Sequence, residues 1–326
     1  MNTLEETQND NLEQELKPKH KSVLGIRAAT ALCIAAVYVA VVLFSTFSFG
    51  PMLNGRYALR FVYDFFVISV TLVCALEMCR AFSHKYAKPL WAFVVFNVVG
   101  GYSAFYIIHY AVLDESGGIT AFFGVLATTF LLCIVYTMFS KKYSMNNVLT
   151  TMLVLIYPTV LFVYMLSLNY LPTESANSAI LLLFLLPAFS DTAAYLFGTT
   201  FRGPKLAPSI SPKKTVSGAV GGVLGGITAG GLVLLLSEFP PGFISIARLS
   251  DTLWLNIAHY LIIGAVGAVF IIVGDLIASY IKRQCDVKDF GKLLPGHGGV
   301  MDRMDSMILC AVFLYAYFYM FAKFLI

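Results

Sequence analysis

The stretch Leu255–Ile281 reads LNIAHYLIIGAVGAVFIIVGDLIASYI and decides the fold class of this chain. Asp275 is the one residue in it that is charged at neutral pH. A helix needs about 20 consecutive apolar residues to cross the hydrocarbon core of a bilayer, which is roughly 30 Å thick. An apolar run of this length therefore predicts a membrane-spanning helix.

Other parts of the chain repeat this character. Further apolar runs lie at residues 28–49, 61–79, 89–112, 119–139, 148–168, 178–197, 217–237 and 304–326. Of the 326 residues, 59% are hydrophobic and 12% are charged, whereas an ordinary soluble domain has about 25% charged residues. The sequence excludes a soluble fold and predicts an all-α polytopic integral membrane protein with about nine transmembrane helices. The net charge of +4 is too small to indicate a nucleic-acid partner.

Lysine and arginine alternate between the loops. They accumulate after the second, fourth, sixth and eighth runs, at Arg80, Lys85, Lys88, Lys141, Lys142, Arg202, Lys205, Lys213, Lys214, Lys282, Arg283, Lys288, Lys292 and Arg303. The loops after the third and fifth runs have none. The positive-inside rule therefore predicts a cytoplasmic amino end and an external carboxyl end. Arg56 and Arg60 run against this orientation.

The composition divides the chain into three parts. Residues 1–27 form a polar tail that we expect to be cytoplasmic and disordered. Residues 28–175 hold five predicted helices with short loops, and residues 176–326 hold four helices and two longer cytoplasmic loops rich in Gly, Pro, Asp and Lys. We expect the chemistry in this last part, with the active site facing the cytoplasm of a multi-pass cell-membrane protein. In the run 217–237, closely spaced glycines predict tight helix packing.

The stretch Gly274–Asp305 carries the strongest chemical pattern, GDLIASYIKRQCDVKDFGKLLPGHGGVMDRMD. On a helix, Asp275, Ser279 and Lys282 share one face. An Asp inside a membrane helix costs roughly 2.5 to 3.5 kcal/mol on insertion scales, so it should face the protein interior or a watery cavity. This face therefore presents a carboxylate, a hydroxyl and a cation near the membrane boundary.

A glycine-rich loop at residues 291–299 follows and leads into the last helix. Glycines let the backbone approach a ligand and offer N–H groups to phosphate oxygens. Asp302 and Asp305 are three residues apart at the start of that helix. Because carboxylate oxygens suit Mg²⁺, Asp275 and Asp302 are candidate ligands of one ion held from two helices. Carboxylates beside cations and backbone donors favour phosphoryl transfer.

The order of these residues resembles the signature of the phosphatidate cytidylyltransferases, the CDP-diacylglycerol synthases. The matching segments are Ser279-x-x-Lys282-Arg283, Lys288-Asp289-x-Gly291, Pro295-Gly296-His297-Gly298-Gly299 and Asp302-Arg303-x-Asp305, with Ser190-Asp191-Thr192-x-Ala194-Tyr195 and Ser211-Pro212-Lys213-Lys214-Thr215 upstream. The resemblance covers residues 176–326. Ser217 stands where the family commonly has Glu, so no role of that Glu is carried over.

The resemblance implies that CTP and phosphatidate react to CDP-diacylglycerol and pyrophosphate with Mg²⁺. Asp275 and Asp302 are then the metal ligands, and Asp289 and Asp305 belong to the outer shell or to a second cation. The expected catalytic residues are Lys282, Arg283, Lys288, His297 and Arg303, and the expected substrate-binding residues are Asp191, Lys213, Lys214, Ser279, Gly298 and Gly299. Phosphatidate already carries an ionised phosphate, so His297 need not be a general base. The expected partners are both substrates and the lipid bilayer, with a homodimer left open.

Two other functions remain open at this point. In an ion-coupled transporter, Asp64, Glu77, Asp191 and Asp275 would line an ion path, but the clustered cations and the glycine loop gather on one side. Another CTP-dependent membrane enzyme, such as a lipid or polyprenol kinase, would use similar phosphate-binding groups. A CDP-alcohol phosphotransferase is disfavoured because the run Asp-Gly-x-x-Ala-Arg does not occur. Asp64 and Glu77 have no partner visible in the sequence.

Overall fold

In the computed structural model, the described residues are Gly25, 27–46, 52–53, 56–57, 60–112, 117–238 and 245–324. These ranges contain nine helical segments long and apolar enough to span a membrane. They are α1 (Arg27–Thr46), α2 (Arg60–Lys85), α3 (Trp91–Val112), α4 (Gly117–Phe139), the composite segment Met145–Tyr170, α7 (Thr173–Thr200), α8 (Val216–Glu238), α9 (Leu253–Gln284) and α10 (Met301–Phe324). The prediction of an all-α polytopic membrane protein is confirmed. Of the predicted tail, 1–27, all but Gly25 and Arg27 lie outside the described residues.

Several helices extend beyond their apolar runs. α2 ends at Lys85 rather than at residue 79, and α9 ends at Gln284 rather than at residue 281. α7 begins at Thr173, five residues before the run that predicted it. Hydropathy detects only the part of a helix that lies in lipid, whereas the backbone hydrogen bonds continue into the polar interface. The cations Lys282 and Arg283 are therefore part of α9.

The fifth span is interrupted at its centre. It consists of α5 (Met145–Val154), a π-helical turn (Leu155–Val160), α6 (Leu161–Ser167) and a 3-10 turn (Leu168–Tyr170). Tyr157 has non-helical torsion angles, with φ −128° and ψ 107°, and Pro158 follows it. Because proline has no N–H and its ring clashes with the preceding turn, the regular helix breaks here.

Two short hairpins accompany the helices. Strands β1 (Met52–Leu53) and β2 (Arg56–Tyr57) pair between α1 and α2. Strands β3 (Lys205–Ala207) and β4 (Ser211–Thr215) pair antiparallel between α7 and α8, with Lys205 opposite Thr215. The second hairpin occupies a segment that the sequence predicted only as a loop. It holds Lys214 against α9, whereas Lys205 and Lys213 are exposed.

Glycines bring α7, α8 and α9 into close contact, which confirms the packing expected for residues 217–237. A Cβ added to Gly226 would meet the carbonyl oxygen of Gly264, and one added to Gly264 would meet that of Gly226. On the α7 side, an added Cβ on Gly225 would meet the Phe189 carbonyl. Such contacts between backbones require residues without side chains. They make α7–α9 the closely packed frame of the second half.

A buried polar network lies near the start of α2. Asp64 accepts hydrogen bonds from Asn169 Nδ2 at 2.7 Å and from the Tyr170 hydroxyl at 3.1 Å. Arg60 donates to Asn177 Oδ1 at 2.5 Å. Asp64 is 2% exposed and Arg60 is 3% exposed. The network joins α2 to the end of the fifth span and to α7, and it supplies the partner of Asp64 that the sequence does not reveal.

Candidate active site

Asp302 lies at the centre of the site, in the first turn of α10. Its Oδ1 accepts a hydrogen bond from Lys282 Nζ at 3.0 Å. Its Oδ2 accepts the backbone N–H groups of Phe290 and Gly299, each at 2.9 Å. The side chain is 4% exposed. This carboxylate therefore joins the end of α9, the glycine loop and the start of α10, where the helix dipole also favours a negative charge.

Lys282 is shared between two carboxylates. Its Nζ is 3.0 Å from Asp302 Oδ1 and 3.8 Å from Asp305 Oδ2. The ammonium also lies 5.3 Å from the centre of the Phe290 ring. Asp305 is buried, and its Oδ1 accepts the N–H of Ser306 at 2.8 Å. A largely enclosed cation thus neutralises the two acids that begin the last helix.

Asp275 contributes a third carboxylate from α9. It forms an ion pair with Lys214 of β4, and its Oδ1 accepts a hydrogen bond from Ser279 Oγ at 3.5 Å. The neighbouring Gly274 packs on α10, because an added Cβ would lie 2.9 Å from the carbonyl oxygen of Asp305. The close crossing of α9 and α10 places Asp275 and Asp305 within electrostatic range of each other.

A cavity of about 400 Å³ adjoins this cluster between α7, α8 and the β3–β4 hairpin. Asp191, Lys213 and Lys214 all line it, together with Ala194, Tyr195, Gly198, Thr199, Leu206, Thr215, Gly218, Ala219 and Ile272. Asp191 interacts electrostatically with Asp275, Lys214 and Arg303. The structure therefore brings the two upstream motifs beside the acidic cluster, although they are far from it in the sequence.

The glycine loop is closed by its own hydrogen bonds. Leu294 N–H donates to the Gly298 carbonyl at 2.9 Å, and Arg303 Nε and Nη2 donate to the His297 carbonyl at 3.2 and 2.9 Å. Gly298 has φ +84°, a left-handed conformation. A Cβ there would lie 3.0 Å from Asp302 Oδ2. Glycine at this position therefore permits the turn and leaves room for the carboxylate.

The remaining predicted residues lie around the cluster with different surroundings. Arg283, Lys288 and Asp289 are exposed, and Asp289 lies beside Gly298. The Nδ1 atom of His297 is buried and has no hydrogen-bond partner among the described residues. The carbonyl group of His297 is thus the part that holds the loop together.

Glu77 of α2 belongs to the site, and sequence reasoning missed this role. Its carboxylate accepts the N–H groups of Val300 at 3.1 Å and Met301 at 2.8 Å, which caps the start of α10. An added Cβ on Gly291 or on Gly299 would meet the same carboxylate. The available signal was a buried acid in an apolar run together with a loop rich in glycine. The first half of the chain therefore supports the glycine loop.

The carboxylates of the site have oxygen donors of the kind that Mg²⁺ takes. Within the described ranges, no group of three or more His, Cys, Asp or Glu side chains is arranged to hold a metal ion. Lys282 forms an ion pair with Asp302, and Lys214 forms an ion pair with Asp275. The donor chemistry of Asp275 and Asp305 across the α9–α10 crossing suits a hard cation. A magnesium site therefore stays a prediction that rests on the chemistry of these oxygen donors.

Comparison with known proteins places these motifs in a family. A phosphatidate cytidylyltransferase of Rickettsia felis is 36% identical over 149 residues, which is 45% of this chain and 62% of that protein. Proteins of the same name from Brucella melitensis and Haemophilus influenzae are 40% and 32% identical over 146 and 197 residues, or 45% and 59% of this chain and 48% and 64% of theirs. The chain thus spans less than two thirds of each of these three relatives. The sequence model of the Cytidylyltransferase family matches residues 26–321, nearly the whole chain, and the chain belongs to that family.

Proposed function

We propose that this protein is a phosphatidate cytidylyltransferase, which converts CTP and phosphatidate to CDP-diacylglycerol and pyrophosphate. One observation carries the proposal: Lys282, Lys214 and the glycine loop converge on Asp302, Asp305 and Asp275 where α9 meets α10. Family membership and the names of the curated relatives support the same reaction.

In the proposed reaction, an oxygen of the lipid phosphate attacks the α-phosphorus of CTP. A new P–O bond forms, the bond between the α-phosphorus and the bridging oxygen breaks, and pyrophosphate leaves with the electron pair. The attacking phosphate is already ionised, so no side chain has to remove a proton.

Lys282 and Lys214 supply the positive charge in this proposal. Both are paired with carboxylates in the structure, and a triphosphate would offer them stronger, doubly charged partners. Charge-assisted hydrogen bonds to phosphate oxygens would then stabilise the charge that develops on pyrophosphate. Lys213, which lines the cavity beside Asp191, would bind the same nucleotide.

Mg²⁺ is part of the proposal. Asp275, Asp302 and Asp305 would hold it, with Asp289 nearby for the outer shell or a second cation. When bound, Mg²⁺ neutralises phosphate oxygens and so lowers the repulsion between the two anionic substrates. The two backbone N–H bonds to Asp302 keep that carboxylate oriented before substrate arrives.

The proposed location is the cell membrane, with the site at the cytoplasmic face. The lysine and arginine pattern supports a cytoplasmic amino end and an external carboxyl end. A reporter fused after Lys142 should read cytoplasmic, and one fused after Ile326 should read external. The reverse pair of signals would contradict this orientation. Analytical ultracentrifugation in detergent would distinguish a monomer from the homodimer that the sequence leaves open.

The decisive experiment uses purified protein and CTP labelled at either the α- or the γ-phosphorus. With phosphatidate present, we expect a lipid product that carries the α-label. A lipid that carries only the γ-label would identify a kinase instead. Ion flux into proteoliposomes without any labelled lipid would favour a transporter.

A further inference from the structure

An apolar groove of about 270 Å³ runs from the glycine loop along α1. Its walls include Val37 and Tyr38 of α1, Phe66 and Val70 of α2, and Met304 of α10. Arg303, which follows Asp302 directly, is the one charged residue among the described residues that line it. The groove therefore has a single cation at its loop end and apolar walls beyond it.

Two arginines mark the polar end of this groove. Arg303 donates to the carbonyl of His297. The side chain of Arg27, at the start of α1, packs on the adjacent Gly296, because a Cβ there would lie 2.6 Å from Arg27 Cγ. Both guanidinium groups thus flank the same turn of the loop. An anionic head group at this turn would lie beside two cations. Asp302 of the carboxylate cluster directly precedes one of them, Arg303, in the sequence.

The outer wall of the groove is a peripheral helix. Only 11% of the apolar window of α1 is buried, compared with 56% for α2 and α10. Tyr38 attaches α1 to the bundle through a hydrogen bond from its hydroxyl to Met304 Sδ at 3.4 Å, and its ring lies 5.1 Å from that of Phe184. The groove is therefore bordered by lipid rather than enclosed by the protein core.

We infer that this groove holds an acyl chain of phosphatidate while the lipid phosphate lies at Arg303 and Arg27. The inference rests on the proposed function, and it identifies where one chain of the lipid substrate lies. A groove with cations at one end and apolar walls beyond fits an amphiphile with an anionic head. From Thr30 to Tyr38 the helix advances about 12 Å, so the groove contacts the upper part of a chain and leaves the rest in the bilayer.

A binding experiment tests the groove without turnover. The full-length protein is placed in phosphatidylcholine nanodiscs that contain phosphatidate with a photoreactive diazirine in mid-chain. After irradiation, we expect labelled peptides from α1 and α2 around Val37, Phe66 and Val70. Phosphatidylcholine with the same photoreactive chain serves as the control. It should label these peptides about tenfold less, because it lacks the anionic head that the arginines would bind.

A matched pair of variants tests the groove in the reaction. Val37 and Val39 are both partly exposed valines of α1, but Val37 lines the groove and Val39 points away from it. Val37→Trp should raise KM for dioleoyl phosphatidate about tenfold, because the indole fills the space of the chain. It should leave KM for CTP and turnover of dihexanoyl phosphatidate near wild type. Val39→Trp should change none of these values.

The outcomes separate the groove from the proposed function. Labelling of the groove by phosphatidate, without any CDP-lipid product, would support the groove and refute the proposed reaction. The role of the groove alone would be refuted if CDP-lipid formed but both lipids labelled it equally and Val37→Trp and Val39→Trp had equal kinetics. Equal loss of activity on both chain lengths in Val37→Trp would also contradict a role in chain binding.

Discussion

Two groups of charged residues in this protein use their acids differently. Near the start of α2, Asp64 accepts hydrogen bonds from the Asn169 amide and the Tyr170 hydroxyl, and the same amide donates to the backbone carbonyl of Arg60. At the α9–α10 crossing, Asp302 and Asp275 are paired with lysines. The network around Asp64 joins α2 to the end of the fifth span. A lysine can exchange a carboxylate for a phosphate, so the second arrangement is suited to binding an anionic substrate.

α2 takes part in both groups, which sharpens the contrast. Asp64 and Glu77 are about 20 Å apart along this helix. Both are almost fully buried, at 2% and 3% exposure. Glu77 bonds to backbone N–H groups at the start of α10, whereas Asp64 bonds to side chains of neighbouring spans. The two buried acids of α2 therefore have different roles. Asp64 joins neighbouring spans, whereas Glu77 holds the start of α10 beside the site.

The largest effect is expected for Asp302→Asn. The amide would accept the backbone N–H bonds with one oxygen but would turn its NH₂ group toward Lys282, and it would be a poor Mg²⁺ ligand. We expect turnover to fall at least about 100-fold. The control is Asp286→Asn, which removes an exposed carboxylate paired with Lys85 in the same loop region. Equal turnover by wild type and purified Asp302→Asn would refute the central role of this carboxylate.

Lys214→Ala should have the next largest effect, and it should act on the nucleotide. Loss of a charge-assisted hydrogen bond, worth roughly 1.5 to 3 kcal/mol, should raise KM for CTP by about 10- to 100-fold. Lys205→Ala is the matched control, because Lys205 lies on the other strand of the hairpin and is exposed. If both variants had the same CTP dependence as wild type, the hairpin would not belong to the nucleotide site.

Glu77→Gln should reduce turnover by about tenfold, because displacement of the glycine loop would misplace the groups that contact the substrates. One N–H of the Val300–Met301 pair would lose its acceptor, and the start of α10 would lose a negative charge. Steady-state kinetics at low temperature would separate this positioning role from unfolding. A variant that lost thermal stability but kept wild-type turnover in its folded state would show that Glu77 is only structural.

The smallest effect on activity is expected for Asp64→Asn. The amide cannot accept the Tyr170 hydroxyl with its nitrogen, so the free energy of unfolding should fall by about 1 to 3 kcal/mol. Thermal unfolding in detergent would detect this loss. KM for CTP and turnover should stay near wild type. A rise in KM for CTP without a loss of stability would contradict the view that Asp64 is structural and the site carboxylates are not.

The span count was predictable because hydropathy depends on local sequence. Each apolar run lies within a described helical segment of the structure, apart from Pro89 and Leu90, which precede α3, and from end residues that are outside the described ranges. The break at Tyr157 was harder to predict from the sequence. Pro158 indicates a kink but does not show which backbone groups lose their hydrogen bonds. The β3–β4 hairpin was also missed, because β4 is the sequence Ser-Pro-Lys-Lys-Thr, which has no apolar alternation.

The sequence by itself determined the membrane class, the nine apolar runs and the chemical groups of the stretch Gly274–Asp305, since these are local properties. Only the tertiary structure decided which lysine meets which carboxylate. Lys214 pairs with Asp275 from 61 positions away, and Glu77 reaches Val300 across 223. Hydropathy shows that a charge must be buried, but not its partner. That partner depends on how the helices cross, and here the glycine contacts of α8, α9 and the loop set that crossing.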